Sequence, residues 1–257
     1  MEIYATVFDS KGRYLDGLTR EQFTVLDNEQ PQTIEAFESS TAGLSCAILL
    51  DHTGSMADAL PVVKNAVVKL IDQLRADDWV AVYSFSTNLH TLQRFTRDKQ
   101  VAKQAVLRTR AEGSTALFDA ISHVAGDASK RTGKKAIVVF TDGQDNASVL
   151  NAAAATARAT KVGVPVYTVA EGEALKSVRL LRLLKDIAQS TGGRSYSVRR
   201  AREVEDVFVD ISHDMQHTYL LAYKAPPSPE ATWRTVRLSV RGIGDYKIRA
   251  KEGYFPK

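Results

Sequence analysis

Apolar residues run almost unbroken through Ser45-Cys46-Ala47-Ile48-Leu49-Leu50, through Trp79–Phe85, and through residues 136–140 and 164–169. Runs this short and this apolar predict strands covered on both faces, not strands with one wet side. Between them the spacing changes to threes and fours. Val62, Val63, Ala66, Val67, Leu70, Ile71 and Leu74 share one helical face, and Pro61 is tolerated in the first turn. Further helices are predicted over residues 99–109, 117–130, 150–161, 177–189 and 203–215. The one over 177–189 is stopped by Gly192-Gly193. Residues 89–95 would pair beside Trp79–Phe85, and Ser195–Ser197 adds a short strand. Strands separated by helices of this length build βαβ units. Residues 44–216 therefore read as an α/β unit: a doubly wound, mostly parallel sheet with helices on both faces. Ligands of such sheets sit beyond the carboxyl ends of the strands, which directs attention to the loops after Leu50 and Phe140.

The two ends of the chain follow a different rhythm. Tyr4-Ala5-Thr6-Val7-Phe8 and Phe23-Thr24-Val25-Leu26 alternate as strands, with turns at Asp9-Ser10-Lys11-Gly12 and Asp27-Asn28-Glu29. Residues 33–37 add a third. At the other end, residues 218–223, 233–240 and 246–250 are strands, punctuated by Pro226, Pro227 and Pro229 and by Gly242-Ile243-Gly244. The economical reading is one small antiparallel β-domain of sandwich type, made of residues 1–43 and 217–257, with the α/β unit inserted between its halves. Two separate β-extensions would leave the same pattern. Phe23 and Trp233 are the expected core anchors, because large aromatic residues dominate small cores.

Composition changes this picture little. With 257 residues, 44% hydrophobic and 25% charged, the chain can bury a sizeable core and is not a disordered one. The net charge of +4 is carried by scattered Lys and Arg, which argues against a nucleic-acid partner. The tightest basic cluster, Arg194, Arg199, Arg200 and Arg202, reads as a solvated face. Cys46 is the single cysteine, so no intrachain disulfide can form and the redox compartment stays open. No apolar run approaches the roughly 20 residues of a membrane span. No signal peptide precedes the strand at Glu2-Ile3-Tyr4. So abrupt a start suggests that a targeting segment is absent from this chain, and the native protein is expected to be exported or on the cell surface.

The chemistry gathers at the strand ends. Asp51-His52-Thr53-Gly54-Ser55 places a carboxylate and two hydroxyls at alternate positions of one tight loop. Thr115 stands just before a helix, and Asp142 lies in Thr141-Asp142-Gly143, just after a strand. In a doubly wound sheet all three loops open on one edge and offer only oxygen, the preference of a hard cation such as Mg²⁺. Each part has a plainer reading as well. Thr115 fits a helix N-cap, and Asp142-Gly143 fits a turn. His52 is expected on the solvent-facing rim, not among the ligands. Asp58, Asp119 and Asp145 read as surface or helix-end carboxylates more readily than as groups behind a metal, and His90, His123, His213 and His217 as structural.

These residues, taken together, resemble the metal-ion-dependent adhesion site of von Willebrand factor A domains. The match is carried by Asp51-x-Thr53-x-Ser55, the distant Thr115 and Thr141-Asp142-Gly143, in the family's order, over roughly residues 44–216. Thr53 stands where the family usually has Ser, and its hydroxyl can still coordinate. The flanks resemble a bacterial von Willebrand factor A-related family through Leu18-x-x-x-x-Phe23-x-Val25 and Lys251-x-Gly253-Tyr254-Phe255. The resemblance implies a site for Mg²⁺, with Mn²⁺ or Ca²⁺ as substitutes, made of Asp51, Thr53, Ser55, Thr115 and Asp142. Ser55, Thr53 and either Thr115 or Asp142 would touch the ion, and Asp51 would act through water or by fixing the loop. The remaining position would go to an Asp or Glu carboxylate of a protein partner. An adaptor that docks substrates onto an ATPase or assembly machine, and a purely structural domain, are the rival readings. An enzyme is not expected. The chain has no Gly-x-Gly-x-x-Gly after a strand, no Walker loop and no Gly-x-Ser-x-Gly elbow.

Overall fold

Strands buried on both faces need helices over both faces, and the middle of the chain supplies them. The computed structural model describes residues 1–256 except 144, 200 and 228–231, and describes no side chain at 201 or 202. Pro229, Arg200 and the Arg202 side chain therefore lie outside the described residues. The chain opens with β1 (Glu2–Asp9), β2 (Phe23–Asp27), β3 (Gln30–Gln32) and β4 (Ile34–Glu38). The middle runs β5 (Leu44–Asp51), α1 (Leu60–Gln73), β6 (Trp79–Phe85), β7 (Leu89–Thr96), α2 (Lys99–Arg108), α3 (Leu117–Ser129) and β8 (Lys134–Thr141). It continues with α4 (Ala152–Val162), β9 (Val166–Ala170), α5 (Val178–Thr191), β10 (Ser195–Ser197) and α6 (Ala201–Gln216). The closing strands are β11 (Thr218–Tyr223), β12 (Arg234–Val240), β13 (Tyr246–Arg249) and β14 (Gly253–Tyr254).

The central sheet has the order β10-β9-β8-β5-β6-β7, parallel throughout except for β7, which runs antiparallel to β6 at the edge. Every residue of β5 and β8 is buried, as their unbroken apolar runs require. On one face Ile48, Leu50 and Val138 meet Val63 and Leu70 of α1 and Phe208 of α6. On the other, Leu49 and Val139 meet Ile121 of α3 and Leu184 of α5. From β5 the chain moves out to β6 and β7, then returns to β8 on the opposite side. The strand order thus reverses between β5 and β8, and Asp51 and Thr141 end those two strands.

The terminal strands form two antiparallel sheets, β13-β1-β11-β4 and β14-β12-β2-β3, each mixing strands from both ends of the chain. Ile3 of β1 faces Leu221 of β11, and Val25 of β2 faces Leu238 of β12. Their inner faces share one core that includes Ile3, Val7, Phe23, Val25, Tyr219, Leu221 and Val236. Within it Asp27 accepts hydrogen bonds from the Tyr223 and Tyr254 hydroxyls at 2.8 and 2.7 Å and from Arg234 Nε at 2.7 Å. Phe23 is buried as expected, but Trp233 is not an anchor: it is 45% exposed and packs edge-on against Phe255, ring centres 5.1 Å apart. Trp233 stands just before β12, so the alternation that turns Val236 and Val240 inward does not govern it.

This sandwich meets the central sheet at the amino ends of its strands. Lys135 N–H donates to Tyr4 Oη at 3.0 Å, and Lys134 Nζ donates to the Ser40 carbonyl at 2.8 Å. Asp214 of α6 receives the Tyr167 hydroxyl at 2.7 Å and the Arg249 guanidinium of β13. The carboxyl ends of β5 and β8 are left at the opposite pole. In the basic cluster, Arg194 pairs with Asp210 at 2.9 Å and Arg199 is exposed. Among the described residues no helix is long and apolar enough to cross a membrane.

Candidate metal centre

β5 ends at Asp51, and the chain bends at once through Thr53 into a single 3-10 turn, Gly54–Ala57. The bend is held by Asp51, which is fully buried. One of its oxygens accepts the Thr53 N–H at 3.0 Å, and the other accepts the Thr141 hydroxyl at 2.7 Å, joining the ends of β5 and β8. The Thr53 and Ser55 hydroxyls lie 3.1 Å apart, and Ser55 Oγ donates to Asp142 Oδ1 at 2.9 Å. Thr53 and Asp142 are buried, whereas Ser55 is exposed at the mouth of the site.

Thr115 comes from the loop before α3. Its N–H donates to Asn146 Oδ1 at 2.9 Å, and its carbonyl accepts from the N–H groups of Asn146 and Ala147. Its hydroxyl faces Gly143, where a β-carbon would lie 3.3 Å from Thr115 Oγ1 and 3.9 Å from Ser55 Oγ. Any side chain at Gly143 would therefore crowd into the cluster. The N-cap alternative for Thr115 does not hold. The N-cap of α3 is Ala116, and no side chain caps it; Asp145 instead accepts the Phe118 N–H at 2.9 Å. Asp119 accepts the N–H groups of Val149 and Leu150. Asp119 and Asp145 thus staple the neighbouring loop to α3, and Asp58 is exposed. The structure brings Thr53, Ser55 and Asp142 into hydrogen-bond contact, sets Thr115 beside them, and places Asp51 behind them through Thr141.

Burial pushes the Asp51 carboxyl up to about 6, against the opposing pull of the Thr53 N–H and the Thr141 hydroxyl. It raises Asp142 too, in spite of the Ser55 hydrogen bond. Glu171 nearby is raised, first by burial and then by the charge of Asp142. Among the described residues no ion pair involves either Asp51 or Asp142. Two buried acids without a cation, ringed by hydroxyls, form an oxygen-only donor set that suits a small hard divalent ion.

His52 departs from its expected place on the rim: it is only 3% exposed. Its N–H donates to the Phe85 carbonyl at 3.0 Å, and its own carbonyl accepts the Glu112 N–H at 2.6 Å. That backbone clamp draws the residue between β6 and the loop before α3. Burial and the neighbouring His90 lower the imidazole's proton affinity, while Glu112 opposes them. His52, His90 and Glu112 form a second group, each presenting one ligand atom, all within 4.8 Å of one another. The sequence hid this group because the three are separated by long intervals. Only the β6–β7 register, which sets His90 opposite Ser84, brings His90 to the strand end.

The model of the von Willebrand factor type A domain family matches residues 46–210. An uncharacterized protein of Synechocystis is 32% identical over 108 residues, which cover 40% of this chain and 26% of that protein. The human voltage-dependent calcium channel subunit alpha-2/delta-2 is 30% identical over 114 residues, covering 38% of this chain and 10% of the subunit. The chain thus spans a minor part of the length of these relatives. Among solved structures, a von Willebrand factor type A protein from Catenulispora acidiphila has a TM-score of 0.61 at 17% identity, over 94% of this chain and 73% of that one. The conserved hypothetical protein BatB from Bacteroides thetaiotaomicron has a TM-score of 0.56 at 22% identity, over 67% of this chain and 98% of its own. At these identities the structural likeness concerns the fold.

Proposed function

The chain belongs to the von Willebrand factor type A domain family, and from that premise we propose that it is a Mg²⁺-dependent protein-binding module and not an enzyme. Domains of this family generally mediate protein interactions and often bind a divalent metal. The observation that carries the finer reading is the contact of Ser55 Oγ with both Asp142 Oδ1 and Thr53 Oγ1, at 2.9 and 3.1 Å. Two loops that are distant in sequence meet there, and Thr115 of a third stands beside them, in one oxygen-only cluster.

Thr53, Ser55, Thr115 and Asp142 are the residues that would hold the ion, and Asp51 would fix the loop or act through water. Bound there, Mg²⁺ supplies an electrophilic centre, since two carboxylates only just balance its charge and the other donors are neutral. Ser55 is the exposed member, so the open side of the cluster faces a partner. The complementary group is an Asp or Glu carboxylate, a hard anionic oxygen that offsets the ion's lost hydration. A partner led by Lys or Arg would meet unrelieved positive charge.

Calorimetry with Mg²⁺ on the wild type and on Asp142→Ala tests the reading. Binding is expected in the wild type and lost in the variant. Equal affinity in both would refute the ligand assignment. With a partner in hand, replacing its acidic residue by the amide should weaken binding in Mg²⁺ and change little in EDTA.

A further inference from the structure

We propose that His52, His90 and Glu112 form a second metal site, selective for a borderline divalent cation of the Zn²⁺ type, beside the oxygen-only cluster. The three residues come from three segments: the loop after β5, the outer strand β7, and the loop before α3. Their ligand atoms lie within 4.8 Å of one another. His52 Nε2 is 3.9 Å from Glu112 Oε1, too long for a hydrogen bond and close enough for both to serve one ion. A tetrahedral Zn²⁺ with bonds of about 2.0–2.1 Å holds its ligand atoms about 3.3 Å apart. His90 and Glu112 are both exposed, so side-chain rotation can close that gap without moving the backbone. His52 is the fixed member, pinned by hydrogen bonds at its own N–H and carbonyl.

The His52 side chain is 4% exposed, so burial fixes the ring that turns Nε2 toward Glu112. The donor set distinguishes this site from its neighbour. Imidazole nitrogen suits Zn²⁺ and related transition metals, whereas Mg²⁺ keeps to oxygen. Two nitrogens and one carboxylate leave a fourth tetrahedral position, open to water or to an incoming ligand.

The test uses the full chain carrying Asp142→Ala, so it does not depend on whether Mg²⁺ binds at the first cluster. Titration with Zn²⁺ alone, followed by calorimetry, should show one bound equivalent, and Co²⁺ should give the visible absorption of a tetrahedral ion. His90→Ala and Glu112→Gln, both at exposed positions, should each weaken Zn²⁺ binding by at least the roughly 10–100-fold that loss of a supporting outer partner costs. Circular dichroism would verify that these variants keep the fold. If the Asp142→Ala protein takes up no Zn²⁺, or if both further variants bind it as tightly, the site does not exist.

Discussion

Lys134 and Lys251 carry their ammonium groups to places water scarcely reaches, with 1% and 3% of the residue exposed. Burial pushes both down to about 8, although Lys134 donates to the Ser40 and Gln216 carbonyls. In the unfolded chain a lysine keeps its proton to about 10.4. Between those two values the unfolded state binds more protons than the folded one, so stability rises with pH; below about 8 the cost of the buried charge is felt in full. Cys46, raised to about 12 by burial, opposes this as a single group. The thermal midpoint should therefore climb between about pH 8 and pH 9.5, and the climb should be smaller in Lys134→Met. A midpoint that falls over this interval in the wild type would contradict the argument. At this scale the sequence was legible where chemistry is local. Asp51, Thr53 and Ser55 declare themselves by alternation on one loop. His52 lies in the same five residues and was misread, because its burial depends on a clamp from Phe85 and Glu112 that no local pattern encodes.

At the scale of elements, the helix α5 ends in two glycines with different duties. Gly192 is the left-handed C-cap, φ 90°, and a β-carbon there would meet nothing closer than 3.7 Å. At Gly193 a β-carbon would fall 2.1 Å from the Val166 carbonyl oxygen, so the chain passes directly against the start of β9. Gly192→Ala should cost about 1–2 kcal/mol of backbone strain. Gly193→Ala forces helix and strand apart and should exceed the roughly 1–3 kcal/mol typical of overpacking. Urea denaturation of the two variants would rank them, and a milder effect at Gly193 would be inconsistent with the close approach. From the sequence the pair read only as a stop signal; the second duty arises from tertiary contact. The same limit explains the strands. β5, β6 and β8 are apolar throughout and were plain. β3 (Gln-Pro-Gln) is an exposed, polar edge strand that follows only from its pairing with β2. Trp233 looked like a core residue by size, but its position one residue before β12 leaves it outside.

Across the whole molecule, β1 is an inner strand of its sheet, with β13 on one side and β11 on the other. We infer that residues 1–43 and 217–257 act as one folding unit. Deleting residues 1–40 would then bare the edges of β11, β12 and β13 and unroof Tyr219 and Leu221, and the product should aggregate. A soluble, fully folded deletion variant, judged by light scattering and circular dichroism, would show instead that the C-terminal strands stand alone. The same arrangement has a mechanical consequence. Met1 and Phe255 line one cleft, so the two ends of the chain leave from the same corner of the sandwich. A molecule stretched by those ends would carry the tension through β1, β13 and β14, while the α/β unit between them bears almost none. Asp51, Thr53, Ser55, Thr115 and Asp142 sit at the far pole from that corner. A grip exerted there could thus hold its geometry under a pull strong enough to begin unzipping the strands at the other end.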